Sequence, residues 1–321
     1  MNISQSLEKL TDALRLRHMA LSTEEAYRFW LQSYMQWLHS RRSDGSSEQK
    51  VEAFLTLQAR RGVSASTQNQ ALNALAFFYK HVLEAPLGEI EAVRVRRPER
   101  VRTALSVEET RALLGAVEDV GGYPTRLVVR LLYGAGLRVS EPLELRLKDV
   151  DVAGRQLVVR GGKGGKDRLV MLPDCLVPEM EGQLRVARAV WRGDVAAGVP
   201  VALPGLLARK ARRTGLAEGW AWVFPGHAPI AHPRTKETVR WRMHEVSVQR
   251  CVRAAAVKVG LGGKATPHVL RHCFATHAHR AGAAARDLQV VLGHAQLETT
   301  MRYLTAEPGR VRSPLEALAG V

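Results

Sequence analysis

Residues 156–172, QLVVRGGKGGKDRLVML, decide how this chain is built. Gln156 to Arg160 and Arg168 to Leu172 are short runs rich in Val and Leu, the composition of strands, and the glycine-rich stretch between them is a hairpin turn. On either side the apolar residues recur at helical spacing. The chain therefore reads as mainly α with a small antiparallel β-sheet.

Upstream, four helix-like stretches fill residues 1–90. The second runs from Ser22, a candidate N-cap with Glu25 three residues on, through Tyr27, Trp30, Leu31, Tyr34 and Leu38. Ser46 to Arg61 repeats the pattern with Val51, Phe54, Leu55 and Leu57. Ser64 to Leu83 follows, capped by Ser64 or Ser66, with Leu72, Leu75, Ala76 and Tyr79 as its stripe. These aromatics read as core, and the region as a small helical domain. Residues 91–103 lose all apolar period and carry Arg94, Arg96, Arg97, Arg100 and Arg102, a basic linker suited to a phosphate backbone.

A second domain spans 104–321. It opens on the capping box Ser106-x-x-Glu109 and continues with a helix from Thr125 to Tyr133. A Pro/Gly-interrupted stretch from Val195 to Gly226 precedes a return of helical pattern, and Ser313-Pro-Leu-Glu316 opens a short terminal helix.

Bulk composition narrows the partners. The chain has 321 residues, 46% hydrophobic and 24% charged, which excludes disorder and favours two domains. Its 47 Lys+Arg against 31 Asp+Glu give a net charge of +16, so a polyanion, nucleic acid above all, is the expected partner. No membrane is expected: there is no run of about eighteen apolar residues, no secretory core behind the N-terminus, and no basic amphipathic helix with a Trp/Phe/Leu face. Cys175, Cys251 and Cys273 form neither a disulfide framework nor a zinc motif, which points to a reducing compartment.

Four constellations carry possible chemistry. Arg138 follows the Gly134/Gly136 pair, with Glu141 one turn on. Lys163 and Lys166 sit in the hairpin turn, which lacks the Gly-Lys-Ser/Thr of a P-loop. His268 and Arg271 follow Thr266-Pro267, an N-cap with proline in the first turn. Leu292-Gly293-His294 precedes Tyr303. His268 and His272 have the spacing of metal ligands, but no Asp or Glu lies between Glu245 and Asp287, so no metal is expected. Cys273 continues the apolar face of Val269, Leu270 and Phe274 and reads as core. Two arginines, two histidines and a lysine form a set of donors able to neutralise a phosphate in a pentacoordinate transition state. Tyr303 supplies a nucleophile and the lysine a proton for the leaving alkoxide.

The order Arg138, Lys163, His268-x-x-Arg271, His294, Tyr303 resembles that of the tyrosine recombinases, the lambda-integrase family, over nearly the whole chain. It is most similar to integron integrases. Residues 63–75 (VSASTQNQALNAL) resemble their first-domain signature. The stretch from Leu203-Pro204 through Arg209-Lys210 to Trp220-Ala-Trp222-Val-Phe-Pro225 resembles the extra segment, about 190–225, that separates them from chromosome-dimer resolvases. Val311 to Leu315 resembles their C-terminal end. The resemblance implies a helical core-binding domain followed by a mixed α/β catalytic domain, acting in the bacterial cytoplasm on the nucleoid. It implies Tyr303 as nucleophile, Arg138, Arg271, His268 and His294 on the scissile phosphate, Lys163 as proton donor and Glu141 orienting Arg138. Arg209, Lys210 and Lys166 join the linker arginines as DNA-binding candidates. The implied reaction recombines attachment sites with cassette sites, the latter as folded single strands, through a homotetramer and without a cofactor. The alternatives are a phage integrase or dimer resolvase, or a DNA-binding relative without turnover.

Overall fold

Serine and threonine caps set where four of the helices begin. The computed structural model describes residues 2–40, 45–91, 104–161, 167–204, 212–293, 296 and 300–301. They fall into two compact units, Met1–Val101 and Arg102–Val321.

In the first unit, α1 (Ile3–Leu16) and α3 (Ser47–Arg60) open on reciprocal capping boxes, Asn2 with Gln5 and Ser46 with Gln49. Ser64, rather than Ser66, caps α4 (Ala65–His81) through the Thr67 N–H. The helix α2 (Leu21–Ser40) departs from expectation at its start. Ser22 is not its cap: Ala20 O accepts from Thr23 N and Glu24 N, so the helix has already begun when it reaches Ser22. The unit's core is Leu10, Leu14, Trp30, Leu31, Tyr34, Phe54, Leu75 and Tyr79 with their neighbours, and the Tyr34 and Tyr79 hydroxyls meet at 2.9 Å inside it. The aromatics are core, as their spacing implied; each contributes roughly 1.5–3 kcal/mol by burial. The α4 stripe is turned from the one read in the sequence. Ala71, Ala74 and Phe78 are buried beside Leu75 and Tyr79, while Leu72 and Ala76 are half-buried. The alanines allow α4 to lie close against α2, its main neighbour.

The second unit starts with α5 (Val107–Ala116), capped by the Ser106/Glu109 box, and α6 (Thr125–Gly134). A one-turn helix, α7 (Ser140–Leu143), leads to a sheet of β1 (Val150–Asp151), β2 (Gln156–Val159) and β3 (Arg168–Met171) in antiparallel order. Leu157 faces Val170 and Val159 faces Arg168 in the β2–β3 register. Ahead of β3, Asp167 accepts from Gly161 N at 3.0 Å and Arg160 Nη1 at 3.1 Å.

Two features were not legible as sequence pattern. One is α8 (Val177–Ala196), whose stripe of Met180, Leu184 and Ala187 is narrow among charged residues. The other is a strand pair, β4 (Ile230–Ala231) with β5 (Thr238–Val239), where the pattern after Gly226 had suggested helix. Two-residue strands are too short to show a period; their pairing comes from the turn between them, where His232 N donates to Glu237 O and Lys236 N to His232 O. Helices resume with α9 (Glu245–Lys258), α10 (Pro267–Arg280) and α11 (Ala285–Leu292).

Leu131, Leu132, Leu137, Leu157, Val170, Val252, Leu270 and Cys273 are among the residues of one core joining the sheet to the helices, with α10 packed on α5, α6, α9 and α11. Val201, Ala202, Leu203, Trp222 and Val239 form a smaller core with Trp220 and Trp241 against it. No helix of the described residues is long and apolar enough to cross a membrane.

Candidate active site

The site grows from a turn after α6. Gly136 has φ +63°, and a Cβ there would overlap the Phe274 ring, so only glycine fits. Its carbonyl is thereby aimed inward. Arg138 and Glu141 follow at once. Arg138 Nη1 donates to Glu141 Oε1 at 2.8 Å, and the Arg138 backbone N–H donates to Oε2 at 2.8 Å.

The second wall is α10. Thr266 caps it through the Val269 N–H and Pro267 occupies the first turn, as read from the sequence. This start places His268 at the solvent-exposed N-terminal turn and Arg271 one turn further in, 1% exposed. Arg271 Nη1 donates to Gly136 O at 2.7 Å, its Nη2 donates to Leu292 O at the end of α11, and Nη1 lies 3.6 Å from Glu141 Oε2. On its other face α10 is tied to α6 and to the start of the unit. His277 lies between the Tyr133 hydroxyl, 3.1 Å from Nδ1, and Leu105 O, 2.9 Å from Nε2. Cys273 is buried, accepts from Leu105 N, and burial raises its thiol, which makes it a core residue and no nucleophile.

The third wall is β3, and it holds a residue the sequence reading passed over. Arg168 Nη1 and Nη2 donate to the two oxygens of Glu141 at 3.0 and 2.7 Å, and its Nε donates to Val291 O at 2.7 Å. The signal was present in the alternation: Arg168 shares a strand face with buried Val170, opposite exposed Leu169 and Met171.

Glu141 is the hub. Burial alone would raise its carboxyl, but the Arg168 hydrogen bonds and charge, the Arg138 N–H and the Arg271 charge outweigh this and hold it below the usual carboxylate range. Three guanidinium groups around one ionised carboxylate leave the cluster cationic, an environment suited to a phosphate. Arg138, 30% exposed, is its outward-facing member. No group of three or more His, Cys, Asp or Glu among the described residues is arranged to hold a metal. The structure thus brings Arg138, Glu141 and Arg271 together, with His268 on the same helix as Arg271. Lys163, Lys166, His294, Tyr303, the linker arginines 94, 96, 97, 100 and 102, Arg209, Lys210 and the Ser313 helix start lie outside the described residues.

Comparison with known proteins places the chain in a family. Residues 103–310 match the model of the phage integrase family, and residues 7–89 match the phage integrase N-terminal SAM-like domain. An integrase/recombinase of Escherichia coli is 41% identical over 97% of this chain and 93% of its own length. The chain belongs to the phage integrase family. It is a site-specific tyrosine recombinase, an enzyme that cuts and rejoins DNA. This recombinase is also 32% identical to tyrosine recombinase XerD of Pseudomonas aeruginosa, over 92% of this chain and 91% of that one. Its fold is that of the Tn1549 transposon integrase solved with circular-intermediate DNA (TM-score 0.62, 17% identity, 98% and 99% of the two chains covered). It is shared with a lambda integrase solved as a tetramer on a Holliday junction (TM-score 0.60, 17% identity, 98% and 79% covered).

Proposed function

We propose that this recombinase cleaves DNA through Tyr303 and acts as an integron-type integrase. The observation that carries the chemistry is the convergence of Arg138 and Arg271 on Glu141. Arg138 and Arg271, with His268 and His294, bind the scissile phosphate and neutralise the charge that grows in its transition state. The Tyr303 oxygen attacks phosphorus, the P–O5′ bond breaks, and a 3′-phosphotyrosine ester and a free 5′ hydroxyl result. Lys163 gives the leaving oxygen its proton; Lys166 is the second candidate. Attack of a 5′ hydroxyl from another strand on the ester reverses the step and joins new partners, so no cofactor enters the balance. The linker arginines, Arg209 and Lys210 lie along the DNA backbone. Four protomers across two sites complete the exchange.

The integron-type reading rests on the segment about 190–225. Arg146, 6% exposed, reaches into it, with Nη1 on Trp220 O at 2.7 Å, Nη2 on Ala202 O at 2.8 Å and its guanidinium 3.0 Å from the Trp222 ring centre. Arg146 thus braces this segment, whose Val223 and Phe224 sit in the main core, as a fixed wall of the catalytic domain. Such a wall suits a substrate with extra features beyond a plain duplex, here a folded single-stranded cassette site.

Two DNA probes test the reading. A nicked duplex taken from the DNA flanking the protein's own gene should trap a covalent protein–DNA adduct on a denaturing gel. A folded single-stranded cassette site should be recombined in preference to the same sequence as duplex. Absence of any adduct would refute the cleavage assignment. Preference for the duplex form would refute the integron-type reading and favour a phage integrase or dimer resolvase.

A further inference from the structure

Arg168, like Arg271 and unlike the outward-facing Arg138, is turned into the protein. Its side chain is 8% exposed, and all three guanidinium nitrogens are engaged with protein acceptors, two with Glu141 and one with Val291 O. Those three bonds use its Nε–H and one N–H of each Nη, and every one of them is made to the protein rather than outward. Gly293, at φ +63°, ends α11 directly on top of it: a Cβ at 293 would stand 3.0 Å from Arg168 Cδ and 3.2 Å from Nε. The next carbonyl, Leu292 O, is taken by Arg271. Consecutive carbonyls at the end of α11 are therefore held by two arginines, and both of those arginines face the same carboxylate.

We propose that Arg168 is a positioning residue for the reaction, which locks Glu141, and through it Arg138 and Arg271, to the C-terminus of α11. The inference rests on the phosphate-binding role given above to Arg138 and Arg271. Its physical basis is the planar fork. One guanidinium satisfies two carboxylate oxygens and a carbonyl at fixed angles, which the point charge of a lysine cannot do. Arg168 also begins β3, so the same residue ties that strand to the site. With the fork removed, Glu141 would face only Arg138 and Arg271, with Glu144 one turn away, and it would hold Arg138 less firmly.

The test uses the full chain as Arg168→Lys and Arg168→Gln, with three measurements: melting temperature, affinity and adduct rate on the nicked duplex from the flanking DNA, and the 13C titration of the Glu141 carboxyl carbon, assigned by its loss in Glu141→Gln. Arg168→Lys should melt and bind DNA much as the native chain does while forming adduct roughly 10- to 100-fold more slowly, the cost of a small misplacement of reacting groups. A bridging 5′-phosphorothiolate, which needs no proton, should not restore the rate. Arg168→Lys combined with Glu141→Gln should be no slower than the worse single variant, because both remove one linkage. The Glu141 carbon should titrate at higher pH in either Arg168 variant. Should Arg168→Gln fail to fold, Arg168→Lys carries the comparison. A native rate in Arg168→Lys, a loss that follows affinity or melting, or independent effects in the double variant would overturn the proposal. An inactive native chain would instead refute the cleavage reading, and the Glu141 titration then decides on its own: an unmoved carboxyl sinks the positioning role.

Discussion

Arg240 grips Asp194 with two hydrogen bonds of 2.7 and 2.6 Å, and both side chains are under a tenth exposed. This pair joins the end of α8 to the residue after β5, so it fastens the segment about 190–225 from outside the catalytic cluster. Asp194→Ala leaves a buried guanidinium without its partner and should destabilise the protein by about 3–5 kcal/mol. Replacing both residues, as Asp194→Leu with Arg240→Met, should recover most of that loss. Urea denaturation of the two variants checks the order.

Deleting the segment whole would not isolate its role. Val223 and Phe224 are 0% and 1% exposed and belong to the main core, which the sequence reading of 203–225 as an addition did not anticipate. Side-chain changes that keep Val223 and Phe224 are the proper probe. Trp222→Ala should cost about 3–5 kcal/mol, as truncations of large core side chains do. A melting curve that does not move would show that the small core around Trp222 bears no load.

Gly136→Ala tests the turn that feeds Arg271. The positive φ alone should cost about 1–3 kcal/mol, and the methyl meets the Phe274 ring besides. Displacing the Gly136 carbonyl removes a partner of Arg271, so adduct formation should fall further than stability does. Phe274→Leu in the same chain should relieve the overlap but not the backbone strain, recovering part of the stability in denaturant titration.

Acid should find Glu141. Its folded carboxyl lies below the ordinary value, so its contribution to stability is complete above the unfolded value of about 4.3 and disappears as pH falls through the folded one. Stability of the native chain should therefore drop on acidification below about pH 4 more steeply than that of Glu141→Gln. Equal slopes in the two proteins, measured by urea midpoints across that range, would remove Glu141 from the acid response.

Tyr303→Phe should bind DNA as the native protein does and form no covalent adduct, since only the attacking oxygen is lost. Cleavage by the native chain should persist in EDTA, because guanidinium and imidazole donors carry the charge neutralisation a metal would otherwise supply. Either an adduct in Tyr303→Phe or abolition by EDTA contradicts the mechanism.

Local chemistry made much of this protein legible in one dimension. The caps at Ser46, Ser64, Ser106 and Thr266 act within a turn of their own backbone, so their helices start where the residues say. The β2–β3 hairpin follows from a glycine-rich turn between two apolar runs, and the aromatic spacing in α2 places Trp30, Leu31 and Tyr34 in the core. The order of arginines, histidines, lysine and tyrosine pointed to the family, since the chemistry of a phosphate demands those side chains together. Tertiary packing decided what no local rule contains. The rotation of α4 depends on how closely two alanines let α2 approach, β4 and β5 exist only by pairing with each other, and Arg168 looks like an ordinary strand residue until its register turns it inward. Glu141 becomes a hub because residues 27 and 130 positions further along the chain, Arg168 and Arg271, are folded back onto it. A carboxylate's role depends on which cations share its low-dielectric surroundings, and only the packing of α7 against β3 and α10 supplies them.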